Sequence, residues 1–250
     1  MKSDDKITNQ AATSAGLKSH PWLVGLRAAK ANLVPGLIVQ AVMIVMVLAY
    51  YFYEPAHHWL AQLAEFKRQA GYLYSWIAGV VAGGVLPEVL TVTVFQKCRV
   101  RRQNFENLAF GMIFWGITGV LVDGLYRGQA WWFGSQVDFG TVVRKMLVDQ
   151  FIYNTLWAAP FGLACYELKN QGYRFDGFSR VFTVRFYKEK TIPALVATWG
   201  VWIPVVSMIY SLPPLLQIPL FSLALTFWVM IFAWINRPAK QPGSSGCNQG

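Results

Sequence analysis

Charge is scarce in this chain, and acidic charge most of all. Charged residues make up 14% of its 250 positions, with 12 Asp and Glu against 22 Lys and Arg. A water-soluble domain carries charge at roughly a quarter of its positions, so the deficit argues against one. The 3 cysteines are too few for a disulfide-dense scaffold. The 3 histidines give no metal-ligand pattern, because His57 and His58 are adjacent, His20 is distant, and no pair has i,i+4 spacing. No HExxH, GxSxG, GxxxxGK[ST] or GxGxxG motif occurs, which removes the sequence support for zinc hydrolysis, a serine-nucleophile elbow and the usual nucleotide loops. Asp123 also lacks the Gly-x-Gly-Asp setting of intramembrane aspartyl proteases. The expectation is a protein without enzymatic activity, metal or cofactor.

What the chain has in quantity is apolar sequence, at 55% of positions. A helix rises ~1.5 Å per residue and a bilayer core is ~30 Å thick, so about 20 mostly apolar residues make a crossing. Six stretches qualify: Leu33 to Tyr53, Tyr72 to Val94, Leu108 to Tyr126, Met146 to Tyr166, Thr191 to Tyr210 and Pro213 to Ile235. Only Ser211 and Leu212 part the last two, and four prolines crowd that junction, so a re-entrant pair is the alternative to two full spans. The expected fold is all-α, a polytopic transmembrane helical bundle of about six spans. Its parts are a polar segment at 1–32, an N-terminal anchor span at 33–53, a bundle at 72–235 and a disordered tail at 238–250.

All 22 basic residues fall between these stretches, 17 on one side of the expected membrane. The other side holds only Lys67, Arg68, Arg127, Arg144 and Lys145. That is the positive-inside pattern, and it places both termini inside. The net charge of +10 therefore reports topology, and a nucleic-acid partner is not expected. Cys98, Cys165 and Cys247 all map to the inner side, where thiols stay reduced. A polar N-terminus containing Asp4 and Asp5 resembles neither a cleavable signal nor a transit peptide, which favours a bacterial plasma membrane over an organelle membrane.

Aromatic residues near the outer span ends, among them Tyr50, Trp59, Tyr72, Tyr126 and Trp131, fit interfacial anchors. In the inner loop at 173–188, Phe175, Phe178, Phe182 and Phe186 recur at spacings of three and four with Arg180, Arg185 and Lys188 among them. This reads as a helix lying on the membrane with its basic side toward anionic headgroups. Gly79 and Gly83 form a GxxxG, and Gly116 and Gly119 follow in the next span. Such small residues let helices approach closely in lipid, within one bundle or across a homo-oligomer.

Function is sought in the carboxylates that fall inside the spans: Glu88, Asp123 and Asp149. A carboxylate in hydrocarbon is costly unless protonated, paired or hydrated, so it faces a bundle interior or an aqueous path. Helical spacing offers Arg127 to Asp123 and Lys145 to Asp149 as i,i+4 partners. Glu88 has no cation within a turn and follows Pro87, which frees carbonyls in the preceding turn. Asp149, Gln150 and Asn154 share a helical face, a polar stripe that can bind helices together or line a pore. Glu88, Asp123, Asp149, Gln150 and Asn154 are thus the candidates for lining or gating a route.

At these residues the chain resembles a known family. Lys145-Met146-Leu147-Val148-Asp149-Gln150, Gly119-Val120-Leu121-Val122-Asp123-Gly124-Leu125-Tyr126 and Trp199-Gly200-Val201-Trp202-Ile203-Pro204, with Trp228 beyond, are similar to stretches of the Mpv-type mitochondrial inner-membrane proteins and the twenty-two-kilodalton peroxisomal membrane protein. Departures accompany the matches. Pro87-Glu88 stands where the family has Gly-Asp, Asp123 where it has His, and Thr155 where a Pro is usual. The resemblance covers about residues 72–235 and implies a small membrane protein that forms a channel for small solutes, without cofactor. A membrane scaffold, in which the same carboxylates only hold helices together, is the competing expectation.

The topology is open to a direct test. Cys98 and Cys247 should react with a membrane-impermeant maleimide only after the inner side is opened, and labelling of both in intact cells would reverse the map.

Overall fold

The computed structural model describes residues 20–175 and 178–235. The first nineteen residues of the polar segment, Cys247 and the 238–250 tail lie outside them. The described residues form a bundle of seven helices: α1 (Pro21–Phe52), α2 (Glu54–Ala70), α3 (Tyr72–Phe95), α4 (Arg102–Phe133), α5 (residues 139–170), α6 (Val184–Tyr210) and α7 (Pro214–Ile235). Four of them, α1, α3, α4 and α6, are long and apolar enough to cross a membrane, and α7 is apolar but shorter over its described core. Much of their apolar surface points outward: Leu33, Leu37, Val45 and Leu48 on α1 are each about half exposed or more. In water such a surface would be a severe liability, whereas in lipid it is the expected exterior.

Three of the helices contain turns in π register, and three of these four segments lie just before a proline, the fourth, Thr91–Phe95, following Pro87 instead. Val80–Val85 precedes Pro87, Val148–Ala158 precedes Pro160, and Tyr187–Thr191 precedes Pro193. A proline has no N–H to donate and its ring crowds the carbonyl four residues back. The turn ahead of it widens to i→i+5 bonding instead of breaking, as in the bonds from Leu86 to Val81 and from Ala159 to Asn154. The widened turn keeps backbone groups paired within the helix, as lipid requires.

Helix α7 occupies the middle, packing on α1, α2, α3, α4 and α6. Leu216, Ile218, Leu220 and Ala224 from it meet Val39 and Met43 of α1 and Val205 and Ile209 of α6 in one continuous apolar core. The sequence sets α1 apart as an anchor, yet it runs the length of α6 as an integral member of the bundle. Its Gly25 and Gly36 face Val196 and Val201, Asn32 Nδ2 donates to the Ala197 carbonyl at 2.9 Å, and Gln40 Nε2 to that of Gly200 at 2.9 Å. The helix also begins twelve residues earlier than the apolar run, at Pro21, with Arg27 and Lys30 exposed on that extension.

Helices α3 and α4 approach even more closely. A side chain at Gly79 would strike the Trp115 carbonyl, and one at Gly119 the Ser75 carbonyl, so the two backbones touch at this crossing. Gly83 and Gly116 sit beneath the rings of Trp115 and Trp76. Helix α2 joins α1 to α3 as an amphipathic segment, with Leu60 and Lys67 buried and His57 and His58 exposed. His57 is held at 4.6 Å from the Tyr50 ring in a stacked arrangement.

One expected element differs. The 173–188 loop is not a single interfacial helix, because Gly172 and Tyr173 adopt left-handed backbone angles that end α5, and only a short 3₁₀ turn, Phe178–Phe182, precedes α6. Phe175 and Phe182 remain strongly exposed, as do Arg180, Arg185 and Lys188. Arg185 pairs with Glu189 at 2.8 Å.

The α3–α4 contact makes a prediction. Gly119→Leu should lower stability by about 1–3 kcal/mol through overpacking. Gly124→Ala, on the same helix with open space around it, should leave the unfolding temperature in detergent almost unchanged.

Candidate functional site

The three carboxylates occupy three separate places. Asp123, 3% exposed, accepts from Lys67 Nζ and Ser75 Oγ on Oδ2, both at 2.5 Å, and from Arg127 Nε on Oδ1 at 3.0 Å. Helices α2, α3 and α4 therefore meet on one carboxylate. The i,i+4 partner expected from spacing, Arg127, is present but half exposed, with its guanidinium over the Tyr72 ring at 4.6 Å. The buried partner is Lys67, which is 2% exposed and also donates to the Gly71 carbonyl at 2.9 Å. Burial pulls the Lys67 ammonium below its ordinary pKa, against the opposing hold of Asp123. Its neighbour Arg68 turns outward to Glu65, and the bonds from Arg68 and Gln69 take the Glu65 carboxyl down to about 2. Such an exposed pair contributes little to stability.

Glu88 lies at the other end of the bundle. Its Oε1 accepts from Asn104 Nδ2 at 2.5 Å, and the Asn104 Oδ1 in turn caps the Arg101 N–H at 2.6 Å. Asn104 belongs to the first turn of α4, so Glu88 sits near the 96–101 connection and not at the depth its place in the apolar run suggests. Among the described residues it has no ion-pair partner.

Asp149 is the centre of a different arrangement. It is 6% exposed, and its Oδ2 accepts from the Tyr210 hydroxyl at 2.7 Å while Oδ1 accepts from Gln150 Nε2 at 2.8 Å. Tyr210 also accepts from Gln129 Nε2 at 2.9 Å, and Asn154 Nδ2 reaches Gln150 Oε1 at 3.4 Å. The result is a buried polar chain, Gln129–Tyr210–Asp149–Gln150–Asn154, drawn from α4, α5 and α6. The expected pair of Asp149 with Lys145 is not formed. The Lys145 ammonium instead lies 6.0 Å from the centre of the Tyr210 ring, while Asp149 turns to the Tyr210 hydroxyl.

This chain ends in a cavity of about 390 Å³. Helix α5 meets α4 mainly through its first turns and leans on α6 farther along, leaving space between α4, α5, α6 and α7. The walls are aromatic: Phe114 packs on Phe161 at 6.0 Å and Tyr166 at 5.3 Å, and Trp202 on Phe221 at 6.0 Å. The polar end is Asp149, Gln150, Tyr153, Asn154 and Thr198. Asp149 is the one charged side chain on the cavity wall, where no Lys, Arg or His occurs. The volume falls within the range of small-molecule sites, which are likewise mostly apolar with a few convergent polar groups.

Of the five residues singled out from sequence, three come together here, and Glu88 and Asp123 do not join them. Tyr210, Gln129 and Lys67 were missed. Tyr126, expected as an interfacial anchor, is 3% exposed and packs on Tyr210 at 5.0 Å between ring centres. A usable signal existed in the spacing of Tyr126 and Gln129, which share a helical face with Val122 and lie one and two turns beyond it. Among the described residues no cluster of His, Cys, Asp or Glu could hold a metal. Comparison with protein-family models, with curated proteins and with solved structures finds no match.

Removal of one member of the buried Lys67–Asp123 pair should be costly, because Asp123→Asn leaves the buried ammonium without its counter-charge and Lys67→Met leaves the buried carboxylate only the half-exposed Arg127. Lys67→Met and Asp123→Asn should each destabilise by about 3–5 kcal/mol. The double variant should lose clearly less than the sum of the two, and strict additivity in detergent unfolding would show that the pair is not coupled.

Proposed function

We propose that the protein is a six-span membrane transporter or channel of small solutes, in which α1, α3, α4, α5, α6 and α7 cross and α2 lies along the outer surface. The side bearing 17 of the 22 basic residues faces inward, carries both termini, and corresponds to the cytoplasmic face of a bacterial plasma membrane. Arg180, Arg185 and Lys188, exposed beside Phe175 and Phe182, meet anionic headgroups there.

The observation that carries the transport reading is the cavity with a buried acid at its polar end. A carboxylate held among aromatic rings within the bundle is expensive, and a purely structural helix contact could be built from apolar side chains. The polar chain from Gln129 to Asn154 leads from α4 to that cavity, a path along which a polar solute can exchange hydrogen bonds. The resemblance of residues 145–150 to Mpv-type proteins is in keeping with this reading. The route passes Asp149, Gln150 and Asn154; Asp123 and Glu88 stand outside it, as helix-joining groups.

A scaffold is the second reading, and the Asp123 hub favours it, since that carboxylate is fully occupied in tying α2, α3 and α4 together. Flux separates the two. Purified protein in liposomes should raise permeability to small polar and organic solutes, and Asp149→Asn should lower that flux several-fold while Asp123 remains paired. Folded protein that gives no flux above empty liposomes with any solute would leave the scaffold reading in its place.

A further inference from the structure

The cavity has a charge preference written into its wall. Its lining of twenty-six residues includes one charged side chain, Asp149, and no cation. Both Asp149 oxygens accept hydrogen bonds, from Tyr210 and Gln150, and neither donor carries a charge to neutralise a carboxylate. The nearest basic residue in sequence, Lys145, lies over the Tyr210 ring and outside the lining. The rest of the lining is rich in rings, among them Tyr153, Trp157, Trp202, Phe114 and Phe161. A π face attracts positive charge, by an amount that grows when water is excluded. Carboxylate and rings thus favour the same sign.

We propose that the cavity binds lipophilic organic cations, an ammonium or phosphonium centre lying near Asp149 and its apolar groups among the aromatic walls. This rests on the solute-transport reading and assigns its substrate class. An inorganic ion fits the lining poorly, because apolar side chains dominate it and leave few oxygen ligands to replace a hydration shell. An organic cation is weakly hydrated and is already surrounded by its own apolar groups. An anionic amphiphile of the same shape meets the carboxylate and the negative faces of the rings, and is excluded by both.

Tetraphenylphosphonium and tetraphenylborate, nearly identical in shape and opposite in charge, test this. The full chain in a neutral detergent is titrated with each, with the emission of Trp115, Trp157, Trp202 and Trp228 in the lining as one readout and calorimetry as a second. The phosphonium should bind at least roughly tenfold more tightly than the borate, the scale of a desolvated charge contact. Asp149→Asn should remove most of that preference. If Asp149→Asn does not fold, Ala194→Phe, which narrows the cavity without altering the carboxylate, should abolish phosphonium binding. Equal binding of the two ions would overturn the charge preference while leaving a cavity for solutes intact. Phosphonium binding that survives Ala194→Phe places the ligand elsewhere and sinks the proposal, as does no binding of either ion. Flux of neutral solutes through wild-type liposomes, measured alongside, shows separately whether the transport reading stands.

Discussion

A charge cannot be left alone in hydrocarbon, and Asp123 is where this chain meets that constraint most tightly. One carboxylate gathers an ammonium from α2, a hydroxyl from α3 and a guanidinium from its own helix α4. Each donor arrives from a different direction, so satisfying the charge fixes the relative placement of three helices. The same crossing brings the α3 and α4 backbones into contact at Gly79 and Gly119, one turn from Ser75. Lipid offers helices no hydrophobic reason to associate, and close backbone packing with a buried polar clasp supplies the specificity that burial supplies in water.

The two buried acids solve the problem differently. Asp123 is neutralised by cations, and its surroundings are closed. Asp149 is only hydrogen-bonded, by groups without charge, and it borders open volume. The backbone beneath differs as well. Ahead of Pro160, α5 runs eleven residues in π register, and Asp149, Gln150 and Asn154 all lie within that stretch. Widened turns of this kind recur at functional sites because they free side chains from the standard helical spacing.

The long helices were legible in the sequence because a crossing needs an uninterrupted apolar run, a signal that survives without knowledge of packing. Helix α2 was not, since its buried positions Leu60 and Lys67 and its partly buried Leu63 are spaced among charges and resemble any solvated loop. On α5 the stripe of Asp149, Gln150 and Asn154 was visible because its members are neighbours on one helix. Their partners Tyr210 and Gln129 stand 61 residues from Asp149 and 81 from Tyr210 respectively, beyond the reach of any local pattern. Tyr126 was misplaced because a tyrosine near a span end looks the same whether it faces headgroups or the core. Lys145 was paired with Asp149 on helical spacing alone, which cannot register that Tyr210, 61 residues from Asp149, engages both side chains.

The clasp on Asp123 also imposes an order in time. Lys67 precedes its partner by 56 residues in the chain, and at a synthesis rate of ~5–20 residues per second the acid emerges roughly 3–11 s after the base. During that interval α2 carries an uncompensated ammonium that cannot enter the bundle. An amphipathic segment of this kind is most comfortable at the lipid–water boundary, where its amine stays wet. On the proposed membrane arrangement, the docking of α2 becomes a late step of biogenesis that follows the arrival of α4.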